Sequence, residues 1–248
     1  MTPALIVMRG KLDLPCQALG RSERQDLSGD FVVMFINNIK ELIKHSIQGV
    51  FGNRHLIYRL PVNDAVIALT FDDGPDPRHT PLVLDVLRQN NVKATFFLTG
   101  SNVEQHPEPA QQILKEGHCI GNHAYAHKDF TRLNLRQKKE DILMGQNIFN
   151  EVLGVTARLF RPPQGCWSLA LLVFCMARSI RTILWSVDSR DFEYKGESFL
   201  KERLDKMHFK NGDIILLHDD NMDTVNFLQY LIDKARREGF SFATIGDV

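Results

Sequence analysis

Apolar residues recur along the chain in two alternating rhythms. Short, nearly continuous apolar runs of strand length occur at 65–69, 94–98, 119–120, 159–160, 182–187, 213–217 and 240–245. Between them, apolar residues fall three and four apart, the spacing of one helix face. Thr80 as cap and Pro81 as first residue open a helix through Leu82, Val83, Val86 and Leu87 that ends at Asn90-Asn91. A helix around 109–116 stops at Gly117, and Asn134 caps another whose Ile142, Leu143, Ile148, Phe149 and Val152 share a face. Ser168 begins a very apolar helix over 169–176, which should be buried on most sides, and helices follow at about 198–207 and 223–238. Strands joined by helical crossovers pair in parallel, and unbroken apolar runs such as 66–69 and 214–217 suit strands covered on both faces. The pattern predicts an α/β domain over 61–248 with about seven strands, a closed or nearly closed β/α barrel first and a doubly wound open sheet second.

Residues 1–60 form an N-terminal extension outside this alternation. Positions 1–30 are polar and aperiodic and read as loop or disorder. Over 31–51, Phe35, Ile36, Ile39, Leu42, Ile43, Ile47 and Val50 recur at helical spacing and predict an amphipathic helix that packs on the main domain.

Composition narrows the class. Lysine plus arginine and aspartate plus glutamate are equal at 30 each, and no basic stripe stands out, so nucleic acid is not an expected partner. The four cysteines, Cys16, Cys119, Cys166 and Cys175, lie far apart without a C-x-x-C pair, which fits reduced, mostly buried thiols. No apolar run is long enough to span a bilayer, and the run at 4–8 is too short and wrongly flanked for a secretory signal. As written the chain reads as cytoplasmic, or extracytoplasmic if the start is misplaced; with Met34 as the true first residue, the segment before it would be an artefact.

A barrel collects its working side chains just after the strands, at one face. Behind 66–70 come Asp72 and Asp73, adjacent acids stopped by Gly74-Pro75, and like charges so close call for a cation or a proton between them. Behind 118–120 come His123 and His127, whose spacing places two imidazoles on one side of a helical turn, within reach of one ion. With Asp73 or Asp72 they make a two-histidine, one-carboxylate set, and the other aspartate is then free to act as a base on water. Arg161, fixed by Pro162-Pro163, is placed to hold Asp72 ionised, with Asp188 and Asp191 as anchors for the guanidinium. His218, at the end of 214–217, is placed to be a general acid.

With these residues assembled, the sequence resembles the polysaccharide deacetylases, the NodB-homology carbohydrate esterases of family 4, over about 63–247. Thr70-Phe71-Asp72-Asp73-Gly74-Pro75 repeats the first family motif unchanged. The resemblance implies that Asp72 is the catalytic base and Asp73 a metal ligand beside His123 and His127. The second motif has Ala124 where relatives carry a hydroxyl residue. Arg161, Pro163 and Gly165 match the third motif, with Gln164 where relatives often carry an aromatic; Asp188, Asp191 and Phe192 match the fourth, with Asp191 expected to tether Arg161 and Phe192 to wall the groove. Leu216 and His218 match the fifth, the leucine lining an acetyl pocket and the histidine supplying the acid.

The family fold implied is a distorted seven-stranded β/α barrel. The implied activity is metal-dependent hydrolysis of N-acetyl groups on amino sugars in an oligo- or polysaccharide of chitooligosaccharide or peptidoglycan type. The implied cofactor is one divalent ion, zinc in the first place, with Co2+, Ni2+ and Mn2+ as alternatives. Gln164 is expected in substrate binding, with a backbone N–H near it facing the oxyanion. A cytoplasmic lipid-linked amino sugar or small N-acyl amide is the second substrate reading, and a non-catalytic sugar-binding module the third.

Overall fold

The computed structural model describes residues 54–247 apart from 128 and 194. The readings of 1–30 as loop and of 31–51 as an amphipathic helix lie outside the described residues. Nine strands are present among the described residues: β1 (Leu56–Ile57), β2 (Val66–Asp72), β3 (Thr95–Leu98), β4 (Cys119–Asn122), β5 (Leu159–Phe160), β6 (Arg181–Ile183), β7 (Val187–Asp188), β8 (Ile214–His218) and β9 (Ser241–Phe242). All strand pairs are parallel, in the order β1-β6-β5-β4-β3-β2-β8-β7, with β9 pairing separately on β2. The β1 end of this curled sheet closes onto the segment leading into β8, where Leu60 N–H donates to Gly212 C=O at 2.7 Å and Arg59 bridges Asp213. The result is a distorted β/α barrel rather than an evenly hydrogen-bonded ring.

Side-chain alternation along the central strands sorts the core from the site. Ile67, Leu69 and Phe71 of β2 and Ile215 and Leu217 of β8 point outward into the main core, under α1 (His79–Gln89), α3 (Pro107–Lys115), α6 (Glu197–Asp205) and α7 (Met222–Arg237). Ala68 and Ile214 point inward, with Phe97 and Leu159, and fill the barrel. The same period puts Thr70 and Asp72, Leu216 and His218 on the inner side. In the β2–β8 register Asp72 lies directly opposite His218.

Several boundaries differ from the sequence expectation. The run 182–187 is two strands with different neighbours, β6 beside β5 and β1, β7 beside β8, because the chain crosses the barrel seam at Leu184-Trp185. Thr80 is not a cap: the helix starts at His79, and the Asp76 carboxylate accepts from the N–H groups of Arg78 and His79, both at 2.8 Å. Helix α2 (Gly100–Gln105) and the short β1 were missed. The last strand is only Ser241–Phe242.

Asn134 and Ser168 do cap α4 (Leu135–Ile148) and α5 (Leu169–Met176), Asn134 in a full capping box. Helix α5 is less buried than its composition suggests, for Leu169 and Val173 are 54% and 51% exposed while Leu171, Leu172, Phe174 and Cys175 face inward. Cys119 and Cys175 are free, as expected. Cys166 is disulfide-bonded, so the expectation of reduced thiols fails there. No helix among the described residues is long and apolar enough to cross a membrane.

Candidate metal centre and catalytic groups

Strand β2 ends at Asp72, and the next residue turns into a left-handed conformation, Asp73 at φ 73°. That turn swings the two neighbouring carboxylates apart. Asp72 stays on the inner face, and Asp73 faces the loop after β4. There, His123 and His127 bring Nε2 atoms to 3.4 and 3.1 Å from Asp73 Oδ1, and the two rings lie 5.1 Å apart. One ligand atom from each of the three residues falls within 4.8 Å of the others.

Protonation shows what this cluster fits. His123 is buried, and its Nδ1 lies 2.7 Å from the Arg161 carbonyl, an acceptor, so Nδ1 carries the proton. Burial pushes His123 below its ordinary 6.5 despite the charges of Asp72 and Asp73, which raise it, so the ring is neutral near pH 7. Its Nε2 therefore presents a lone pair towards a carboxylate oxygen. Asp73 Oδ1 is itself buried without a hydrogen-bond partner. Acceptors converging on one point are stable only around a cation, and two imidazoles with one carboxylate suit a divalent transition ion with open positions. The residues fit a metal ion, which Asp73, His123 and His127 would hold.

Arg161 occupies the barrel interior at 0% exposure. Its Nη1 donates to Asp72 Oδ1 at 2.7 Å and to Thr70 Oγ1 at 2.8 Å, its Nη2 to the Leu184 carbonyl at 3.1 Å, and the guanidinium stacks 4.2 Å from the Phe97 ring. The fixed fork suits this pattern, as an ammonium would not. Asp72 is thereby held from one side, with its Oδ2 3.8 Å from His123 Nε2.

Asp191 does not tether Arg161. Its Oδ1 lies 2.7 Å from His218 Nδ1, while Oδ2 accepts from the His218 N–H at 2.7 Å and from Thr224 Oγ1 at 2.6 Å. Arg161 has its carboxylate in Asp72 across the inner face, so the fourth-motif acid is left to the histidine beside it. Asp188 does not reach Arg161 either: its Oδ1 accepts from the Arg190 N–H at 2.9 Å and its carbonyl from Arg203. Burial alone would lower His218, but the hydrogen bond and charge of Asp191, helped by Asp73 and Asp72, raise it to about 10. Burial likewise raises Asp191, yet the bonds from His218 and Thr224 outweigh it and hold the carboxyl below its ordinary 3.8. His218 is thus an imidazolium near pH 7, with Nδ1 occupied and Nε2 left for a substrate.

The substrate-facing expectations fall around these groups. Phe192 is 46% exposed and stands edge-on to His218 at 5.8 Å. Leu216 is buried on the inner side of β8. Gln164 sits at φ 53° in the turn after Pro163, with its Oε1 accepting the Phe130 N–H at 3.1 Å, so its side chain ties the arginine loop to the histidine loop. Sequence reasoning gave no role to Thr70, Thr224 or Asp219. Thr80 Oγ1 donates to the fully buried Asp219, whose carboxylate lies so close over Gly74 that an added Cβ would meet both oxygens at 2.4 Å. Burial first, then the charges of Asp220 and Asp73, push that carboxyl up to about 7 against the Thr80 bond. Asp219 thus braces the turn after Asp73; its place beside His218 was the only signal in the sequence.

A β/α barrel with a divalent-ion cradle at its strand ends, a salt-bridged carboxylate on one side and a cationic histidine on the other, defines a metal-assisted hydrolase. Comparison with known proteins narrows that class. The sequence profile of the polysaccharide deacetylases matches residues 59–173. The peptidoglycan-N-acetylglucosamine deacetylase of Bacillus cereus is 37% identical over 199 residues, 78% of this chain and 92% of that protein. The chitooligosaccharide deacetylase of Azorhizobium caulinodans is 32% identical, over 74% of this chain and 94% of its own. The crystal structure of Bc1960, a peptidoglycan N-acetylglucosamine deacetylase in complex with 4-naphthalen-1-yl-N-oxidanyl-benzamide, superposes with a TM-score of 0.75 at 33% identity, covering 81% of this chain and 95% of that one. The chain belongs to the polysaccharide deacetylase family.

Proposed function

We propose that this protein removes N-acetyl groups from amino sugars in a peptidoglycan or chitooligosaccharide type of polymer. The observation that carries the reading is the β2–β8 register, which sets Asp72 opposite His218 beside the Asp73, His123 and His127 cradle. A base and an acid on adjacent strands, flanking one ion site, are what amide hydrolysis requires. The bound ion, zinc in this reading, supplies a Lewis acid for the amide carbonyl and lowers the pKa of nearby water towards about 7.

The protein's own groups do the rest. Asp72, kept ionised and aimed by the Arg161 fork, takes a proton from the attacking water. The Gln164 N–H, in the left-handed turn after Pro163, is assigned the oxygen that gains negative charge. His218 delivers its proton from Nε2 to the leaving nitrogen, without which the amine is a poor leaving group, and Asp191 stabilises the imidazolium until then. Phe192 offers an exposed ring face beside the acid for stacking on a sugar. Polymers of the peptidoglycan kind lie outside the cytoplasm, and the disulfide at Cys166 suits an oxidising compartment, so the site of action in this reading is extracytoplasmic.

The test is acetate release by zinc-loaded protein from N-acetylglucosamine oligomers and from peptidoglycan, set beside small N-acyl amides. Turnover of a sugar polymer that falls at least about 100-fold in Asp72→Asn is expected. Hydrolysis confined to small amides would replace the substrate reading, and an active Asp72→Asn would remove the base assignment.

A further inference from the structure

The histidine loop poses a question that its ligands do not answer. Ala124, between them, is buried at φ 67°, and His127 follows at φ 43°. Left-handed backbone at non-glycine residues persists only where the surroundings over-determine it. An alanine has no polar atom with which to hold its own turn, so the hold comes from outside.

Asn122 supplies it. This last residue of β4 is 1% exposed, and its side-chain amide accepts the Ala124 N–H at 2.7 Å while donating to the Ile142 carbonyl of α4 at 3.0 Å. Its main-chain carbonyl accepts the Arg161 N–H at 3.0 Å, and the Arg161 carbonyl in turn receives His123 Nδ1 at 2.7 Å. One residue therefore controls both sides of His123. Its side chain fixes the backbone just after the imidazole, and its backbone fixes the carbonyl that selects the tautomer and aims the ring. Gly100 N–H completes the clamp by donating to the Ala124 carbonyl at 2.9 Å. Helix α4 reaches the loop only because residue 145 is glycine: a Cβ there would lie 2.9 Å from Ala124 O and 3.0 Å from Asn122 Oδ1.

We propose that Asn122 is a positioning residue for the metal, whose side-chain bond to the Ala124 N–H holds His123 and His127 in ligating geometry. The proposal rests on the reading of Asp73, His123 and His127 as ligands, and the experiment separates the two. Zinc dissociation constants are measured by chelator competition, and Co2+ absorption spectra recorded, for the wild type, His123→Ala, Asn122→Ala, Asn122→Asp and Gly145→Ala, with thermal denaturation of each metal-free protein. Partners behind the ligands typically govern metal affinity by about 10–100-fold. Asn122→Ala is expected to weaken zinc by that factor and to alter the Co2+ spectrum. Asn122→Asp keeps the acceptor for Ala124 and native size but loses the donor to the Ile142 carbonyl, so it should bind zinc more tightly than Asn122→Ala; it also keeps the test decisive if the alanine variant fails to fold. Gly145→Ala, which pushes on the same loop with Asn122 intact, should weaken zinc too. Wild-type affinity in Asn122→Ala with only a lowered melting temperature overturns the proposal and leaves the metal site standing. Equal zinc binding by wild type and His123→Ala, or none by either, overturns the metal reading and the proposal with it.

Discussion

Asp191→Asn isolates what the aspartate does for the acid. In the wild type three bonds converge on the Asp191 carboxylate, from His218 Nδ1, the His218 N–H and Thr224 Oγ1. An asparagine keeps the size and one acceptor oxygen but removes the negative charge and offers an N–H where Nδ1 needs an acceptor. His218 is raised to about 10 chiefly because the Asp191 bond and charge outweigh its burial, so without them burial should carry it back to its ordinary 6.5 or lower. A fall of at least about 3 pH units corresponds to roughly 4 kcal/mol less stabilisation of the imidazolium. At pH 8 the protonated fraction should drop from nearly all to about 3%.

Two assays read this. The alkaline limb of the rate profile should move down by several pH units while the acid limb stays. Nitrogen chemical shifts of His218 should show the same displacement without turnover. Bound metal offsets the charges of Asp73 and Asp72, which also raise His218, so the comparison is made at equal loading. The stability sign follows: a raised histidine stabilises the fold fully below 6.5 and loses that contribution as pH rises through about 10, so the wild type should lose stability on the alkaline side and the variant should not. An alkaline limb and a His218 titration unmoved in Asp191→Asn would refute this account of the acid.

Three further outcomes follow from the same geometry. Arg161→Met leaves Asp72 and the Thr70 hydroxyl buried without their donor, and should cost about 3–5 kcal/mol in urea denaturation; Arg161→Lys should not rescue it, since one ammonium cannot reach the positions of the fork. His118 is buried with its Nδ1 accepting the Ala94 N–H at 3.1 Å, and burial lowers it from 6.5 to about 4. The unfolded chain therefore takes up a proton that the folded one refuses, stability should fall by up to about 3 kcal/mol as pH drops from 6.5 to 4, and His118→Leu should flatten that slope in pH-dependent melting. Asp73→Gly should stabilise the metal-free protein by about 1 kcal/mol and abolish the rise in melting temperature on adding zinc.

The candidate site was more legible in the sequence than the sheet that carries it. Asp72-Asp73 could be placed because an apolar run ends abruptly at Gly74-Pro75; the histidines were found by their spacing, but they meet on a non-helical loop bent by left-handed Ala124 and His127 rather than on the helical turn that spacing suggests. The split of 182–187 could not be read, since Leu184 and Trp185 are as apolar as the strands on either side and only the barrel seam makes the chain change neighbours there. Strand β1 has two residues, and its partner lies at Thr182 and Ile183, so no local pattern announces it. The partner of Asp191 was misassigned for a related reason. Opposite charge allowed either Arg161 or His218, and what decides is the inner face of the barrel, where Arg161 meets Asp72 and Thr70. Thr80 misled as a cap because residue type does not reveal that Asp76, one turn earlier, already takes the free N–H groups.

Left-handed backbone at non-glycine residues occurs both at helix ends and around the candidate site. At helix ends it is taken by Gly117 at φ 76° and Gly154 at φ 68°, and also by Asn91 at φ 51° and Ser179 at φ 56°. At the strand ends the same conformation is taken by Asp73, Ala124, His127 and Gln164, each at a cost of about 1–2 kcal/mol that glycine would relieve. In the proposed reading, Asp73 and His127 offer side-chain ligand atoms that glycine would lack. Such a trade of fold stability for site geometry is why Asp73→Gly should gain in the metal-free protein what it loses on adding metal. Ala124 has no ligand to contribute, so its strain is explained only by what it does to its neighbours: its left-handed turn, gripped through Asn122 and Gly100, brings His127 back beside His123 within reach of one ion.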